Sequence, residues 1–506
     1  LALAYRRQFY YIFLKAGTMG SSKNSTEETT KGEIASIVNG LLADVYSTMD
    51  RNPLNMWNEH KIIREKLQRV TALQASIGDT DEQLASKRSK GSLEDFLAWC
   101  DKRGIIRDGV SVEEKEKMGF GLVAERDLNE GEVVITVPRK AIFSLDNARR
   151  LPSLRKLFLR DHLASQMDNV GLALGVCALQ LKWDPSWLPY LDVLPAQFDC
   201  PLYYSLEQIE ELRVSPVIDD ILNCYRAVSR QFCYFLALIA ENDKYDQLNK
   251  DEKKKRDPPP LYDTPFTLSS FTFGLYRWAV CTVATRINQI PSESDKNGDK
   301  PKIIPCLIPL LDFANHSFAR QVKYTAAFSE DEDVAVLPVN ETTKKGEALT
   351  MQYGCRSTAE FFVHNAFAPS VNPFNKYTLR LGIPKSDTYL DQRIEELKKV
   401  GFKGMSNVYV FHIFEPREAG GLPFDEALLK FARIFVSNPP TKENSESADS
   451  IRKGLEFLEK RLSLLLLGYE GKKLEGESNT CVLLRQDKAL LQSALSYCKT
   501  ELSAIR

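Results

Sequence analysis

The chain has 506 residues, with 67 Lys and Arg against 68 Asp and Glu, a formal charge of −1. That length exceeds what one hydrophobic core usually serves, and the balanced charge argues against nucleic acid as a partner, since phosphate binding calls for a basic excess. No apolar run is long enough to span a bilayer. The ten cysteines form no C-x-x-C pair and no Cys/His cluster at zinc spacing, so no metal site is expected. They read as reduced thiols of a cytoplasmic protein, with the nucleus also open.

The stretch Leu1–Lys15 is basic and aromatic. It reads as a targeting peptide or, more simply, as sequence upstream of an initiator at Met19. Residues 19–32 are rich in Ser, Thr, Lys and Glu, so 1–32 are taken as disordered or non-native. Helical spacing follows over 33–100, clearest in WNEHKIIREKLQRVTALQ from Trp57, with a second helix starting near Ser92. The run GFGLVAERDLNEGEVVITVP, Gly119 to Pro138, predicts strand, Asn-Glu-Gly turn, strand.

From about 147 to 270 the pattern is mostly helical, closing on the charged run NDKYDQLNKDEKKKRDPPP at Asn242–Pro260, which reads as a solvated loop. Helix resumes at Phe271–Ile287, and strand-like pieces return at CLIPLLDF, YTAAFS, VAVLPV and EALTMQYG. Beyond Tyr377 the segments FDEALLKFARIFVS and SIRKGLEFLEKRLSLLLLGYEG are helical. This order gives an α+β class: a catalytic unit over 101–376 made of short β-sheets with a helical insertion at about 147–270, then an all-α C-terminal domain over 377–506.

Three short segments stand out. Gly119-Phe120-Gly121 precedes a strand, where missing side chains let backbone approach a ligand, although a turn glycine pair would look the same. Asn315 and His316, in DFANHS, stand at the end of an apolar strand, where a satisfied buried polar pair is the plain alternative. Tyr353-Gly354 closes a later strand, with Arg356 and Glu360 beginning a helix.

In this order the three resemble the SET domain: an early G-x-G, an N-H-S box, then a strand-terminal Tyr. The lack of a cysteine-rich segment after Tyr353 is similar to the branch with a long helical insertion and a helical C-terminal domain, typified by the Rubisco large-subunit methyltransferase. RWAVCTVATRINQIP (Arg277–Pro291) and YGCRSTAEFFVHNAF (Tyr353–Phe367), with SWLPYLDVLPAQFDCPLYY and LGIPKSD, resemble more closely the actin-histidine methyltransferase subfamily.

The resemblance implies S-adenosylmethionine as cofactor, held by Arg88, Gly119, Phe120, Arg286, the run Asp312, Phe313, Ala314, Asn315, His316, and Asn365. It implies Tyr353 as the catalytic tyrosine and Asn288 facing a target imidazole, with Asn169, Ile290, Leu311 and Arg356 lining the substrate groove. Actin is the implied protein partner, and the C-terminal domain its docking surface. Leu311 stands where the subfamily carries Trp, which implies room for either a histidine or a lysine side chain; Met118 and Ile287 also depart from its pattern. A lysine methyltransferase of the Rubisco-like branch and a non-catalytic binding module remain alternatives. A helix C-cap remains one for Asn288.

Overall fold

The computed structural model describes residues 25–47, 52–80, 83, 91–115, 119–297, 300–318, 323, 325–403, 407–416, 418 and 420–505. Two hydrophobic cores organise them. The first joins the N-terminal helices, the sheets and most of the helical insertion, around Phe96, Phe143, Leu174, Phe232, Trp278 and Phe313. The second holds the C-terminal region, around Tyr377, Phe411, Phe431, Leu458 and Leu491. Trp57 and the insertion residues Val217 and Ile221 also enter the second core.

The N-terminal helices form where the spacing places them. Pro53–Ile77 starts on the Asn52 side chain, which accepts from the Leu54 and Asn55 amides, and Leu93–Arg103 starts on Ser92 in the same way. Helix Ser25–Gly40 corrects the expectation of disorder through residue 32: buried Ile34 and Val38 draw its polar first half into register. The run at Asn242–Pro260 is likewise more ordered than a loop. It completes the long helix Val217–Asp246 and adds the capped turn Lys250–Lys254.

The strands are β1 Ile106–Arg107, β2 Val110–Lys115, β3 Gly119–Ala124, β4 Val133–Pro138, β5 Phe143–Ser144, β6 Asn288–Asn297, β7 Lys300–Leu307, β8 Asn315–His316, β9 Ala327–Ser329, β10 Val334–Pro338, β11 Ala348–Met351, β12 Lys376–Gly382 and β13 Val408–Phe414. They form four small sheets, ordered β1-β4-β10-β9, β2-β3-β11-β8, β5-β7-β6 and β12-β13. β3 and β4 form on either side of the Asn-Glu-Gly turn as expected, but they join different sheets instead of pairing with each other. The second sheet matters most for function. β11 pairs antiparallel with β3 and parallel with β8, which draws the Gly-Phe-Gly segment, the Asn-His pair and the Tyr353 loop to one place.

The C-terminal region is helical except for the β12-β13 pair, which corrects the all-α expectation in that detail. Tyr377, Leu379 and Leu381 alternate inward against Tyr409, Phe411 and Ile413, a two-residue period that only a sheet satisfies. Asp487, in the last helix, pins that region to the insertion by accepting from Ser215 Oγ at 2.5 Å and Tyr469 Oη at 3.3 Å.

Burial pushes the Asp487 carboxyl up to about 7, against the pull of those two hydroxyls. A carboxyl that is harder to ionise in the folded chain than in the unfolded one costs stability as pH rises. The loss begins in the ordinary carboxyl range, near pH 4, and is complete just above pH 7. Wild type is therefore expected to lose thermal stability relative to Asp487→Asn between pH 5 and pH 8, by a free energy on the order of a few kcal/mol. Parallel melting curves across that range would contradict this.

Candidate active site

Two adjoining cavities open where the β2-β3-β11-β8 sheet meets the end of helix Phe273–Arg286. The larger, about 540 Å³, is walled by Gly119 and Phe120, by Asn315 and His316, by the loop Val193–Asp199 and by Asn365–Phe367. That volume suits a small-molecule ligand, whereas the smaller cavity, about 210 Å³, falls below the range of such pockets and suits a single side chain. Ile287, Asn288, Ala314, Gln352 and Arg356 line the smaller one. Thr285, Arg286, Asp312, Tyr353 and Asn365 line both, so they form the partition.

Tyr353, Arg286, Asp312 and Asn365 of the partition are each held by hydrogen bonds. The Tyr353 hydroxyl donates to the Ala314 carbonyl at 2.9 Å, and the Tyr353 amide donates to His316 Nδ1 at 3.1 Å. Burial holds the His316 imidazole down at about 4, so at neutral pH it is the uncharged acceptor this contact needs. Its ring is fixed by Phe318, Phe361 and Phe367, with centroids 4.4, 4.7 and 5.7 Å away. Burial also pushes the Tyr353 phenol up to about 12, so its hydroxyl stays protonated.

Arg286 donates through Nη1 to the Asp312 carbonyl at 3.0 Å, and the same nitrogen stands 3.7 Å from Asp312 Oδ1. Tyr190 donates its hydroxyl to Asp312 Oδ2. Desolvation raises the Asp312 carboxyl to about 6, the Arg286 charge and the Tyr190 hydrogen bond holding it from going further. Among the described residues Arg286 Nε, Asp312 Oδ1 and His316 Nε2 are buried without a hydrogen-bond partner, an unusual cost for one small region unless a ligand meets them. Gly119 has φ 70°, and a Cβ there would meet nothing within 4 Å, so its open side faces ligand space. In the smaller cavity Arg356 Nη1 donates to Asn365 Oδ1 at 2.6 Å, and Asn288 Nδ2 donates to the Arg286 carbonyl at 3.3 Å.

Comparison with known proteins agrees with this geometry. Residues 119–354 match the family model described as SET domain. The structure aligns over 82% of the chain, and 92% of theirs, with structures of Rubisco LSMT bound to sinefungin and monomethyllysine (TM-score 0.59, 20% identity) and of the SET domain of LSMT bound to lysine and AdoHcy (TM-score 0.58, 20% identity). The fold is that of a SET domain. In sequence the chain is similar to the actin-histidine N-methyltransferase of Xenopus tropicalis, 29% identical over 94% of this chain and 81% of the relative. It is also similar to that of Homo sapiens, 29% identical over 90% and 73%.

The SET fold gathers most of the residues singled out in the sequence. Gly119, Phe120, Arg286, Asp312, Asn315, His316, Tyr353 and Asn365 line the larger cavity, and Asn288, Ala314 and Arg356 line the smaller. Phe313 lies one layer back, stacked on Phe120 with centroids 5.7 Å apart and 5.6 Å from the Arg286 guanidinium. Ile290 and Leu311 are fully buried and line neither cavity. Leu311 turns into the core because Leu310, at φ 70°, redirects the short turn Leu311–Phe313. Asn169 is exposed on the first turn of helix Asp168–Gln180 and also lines neither. Arg88 and Met118 fall outside the described residues. Thr285, Glu114 and the loop Val193–Asp199 also line the larger cavity without a motif that marks them in the sequence, the loop because its irregular backbone carries no periodic signal.

Proposed function

We propose that this chain is an S-adenosylmethionine-dependent protein methyltransferase whose target is a histidine side chain of actin. The observation that carries the reading is the shared partition. A ligand-sized cavity and a side-chain-sized cavity meet at Tyr353 and the Ala314 carbonyl, the arrangement a transfer between two separately bound molecules requires. The similarity to actin-histidine N-methyltransferases over nine-tenths of the chain supports the substrate.

The larger cavity fits the cofactor. Apolar Phe120, Val193, Leu194, Phe198 and Phe367 suit an adenine and its ribose, while Arg286 Nε, Asp312 Oδ1 and His316 Nε2 offer both donor and acceptor to a zwitterionic amino-acid end. When bound, S-adenosylmethionine supplies a methyl group already activated on a sulfonium. What remains for the protein is alignment and exclusion of water. The Tyr353 hydroxyl, un-ionised and tethered to Ala314, stabilises charge at the partition without competing as a nucleophile.

A histidine target suits the smaller cavity because imidazole, with an ordinary pKa near 6.5, is largely neutral at pH 7, whereas lysine near 10.4 must first lose a proton. Asn288 is the group that would hold the far imidazole nitrogen. Its amide nitrogen is engaged with Arg286, which leaves the side-chain oxygen to accept an imidazole N–H. That same contact with the last carbonyl of a helix favours a second reading, Asn288 as a plain cap and lysine as target.

Competing histidine and lysine peptides on wild type and Asn288→Leu separate the two. Losing a buried hydrogen bond costs roughly 1–3 kcal/mol, so histidine methylation is expected to fall about tenfold or more while lysine methylation suffers less. A wild-type preference for lysine, or an unchanged ratio in the variant, contradicts the histidine assignment.

A further inference from the structure

Asn479 is the first residue of the C-terminal helix Asn479–Ile505, and its side chain bridges the two loops that wall the larger cavity. Nδ2 donates to the Asp199 carbonyl and to Asp199 Oδ2, each at 3.0 Å, and to the Ala366 carbonyl at 3.3 Å. Oδ1 accepts the Ala368 amide at 2.8 Å. Asp199 and Ala366 both line the cavity, yet they lie 280 and 113 residues from Asn479 in sequence. The other Asp199 oxygen is occupied by the Tyr204 hydroxyl at 2.7 Å, so the loop carboxylate is held from two sides.

We propose that Asn479 is a positioning residue for the cofactor cavity, through which the C-terminal region sets the separation of its two walls and hence its affinity for S-adenosylmethionine. The inference rests on the reading of that cavity as the cofactor site. Packing alone does not account for the arrangement. The side chain is only half-buried and belongs to neither hydrophobic core, while the core of the same helix is supplied further on by Leu483, Leu484, Leu490 and Leu491. The amide has two hydrogens for three acceptors, all of them on the cavity walls or their backbone. A displacement of the C-terminal core therefore reaches both walls of the cofactor cavity through Asn479, beside the contact that Tyr204 of that core makes with Asp199.

The test is calorimetric titration of S-adenosylmethionine into the full chain, with steady-state kinetics alongside, for wild type, Asn479→Ala, Asn479→Asp and the exchange pair Asp199→Asn with Asn479→Asp. Removing the donor is expected to raise the cofactor Kd and KM about tenfold with kcat at saturation little changed, the effect of losing a hydrogen bond to a charged group. Asn479→Asp is expected to be worse than Asn479→Ala, because a second carboxylate then faces Asp199. The exchange pair is expected to recover part of the loss, since it restores a donor opposite an acceptor. Wild-type affinity in Asn479→Ala, a fall in kcat with KM unchanged, or no recovery in the exchange pair overturns the proposal. If the single variants prove too unstable to titrate, the exchange pair alone decides: recovered binding supports the clamp and absent binding refutes it. Absence of binding by wild type would instead refute the cofactor reading itself.

Discussion

Tyr353→Phe is expected to slow methyl transfer by about a hundredfold or more while leaving S-adenosylmethionine affinity within a few-fold of wild type, as for loss of one preorganised donor at the reacting centre. The position of the hydroxyl gives the reason. It is in the partition between the cavities, and its contact with the Ala314 carbonyl is its only hydrogen bond to protein among the described residues. The ring is secured independently, by the backbone bond to His316 Nδ1, by a tilted contact with the His316 ring and by an edge-to-face contact with Phe367. Phenylalanine keeps the ring in place and removes only the oxygen. Single-turnover rates and calorimetry on the same preparation measure the two quantities separately. A parallel fall in both would make Tyr353 a binding residue, and unchanged turnover would remove it from the reaction.

Arg286→Met is expected to abolish measurable cofactor binding and to lower stability by about 3–5 kcal/mol, the cost of leaving a buried charge without its partner. The Asp312 side chain is buried, and its carboxyl is already raised to about 6 with the guanidinium beside it. Without Arg286 its carboxyl rises further, so the variant is expected to regain part of its stability as pH falls and that carboxyl takes up a proton. Adding Asp312→Asn removes the stranded charge. The double variant is then expected to recover most of the melting temperature and none of the cofactor affinity. If Arg286→Met is fully stable and binds normally, the partition does not depend on that ion pair.

The outline of this molecule was legible in the sequence because its signals are local. Ser92 ahead of Leu93–Arg103, the apolar spacing of Pro53–Ile77 and the ordered G-x-G, N-H-S and Tyr segments could each be read from neighbouring residues. What remained illegible depends on contacts distant in the chain. β12 and β13 alternate clearly, but the helix Leu390–Lys399 lies between them, which hid their pairing inside a region that reads as helical. Leu311 occupies the right place along the chain for a pocket residue, yet the φ of the preceding Leu310 turns it into the core, and no composition rule gives that angle. Asp199 and Asn479 are unremarkable polar residues in sequence. They acquire a role only because two loops and a helix start converge on the same cavity.

The central claim is tested most directly by incubating the purified chain with actin and S-adenosylmethionine carrying a labelled methyl group, then locating the label by peptide mass spectrometry. The expected result is one labelled methyl on a histidine of actin, absent with Tyr353→Phe. Label on lysine would transfer the assignment to lysine methylation, and no label on actin under conditions where calorimetry shows the cofactor bound would contradict the proposed substrate.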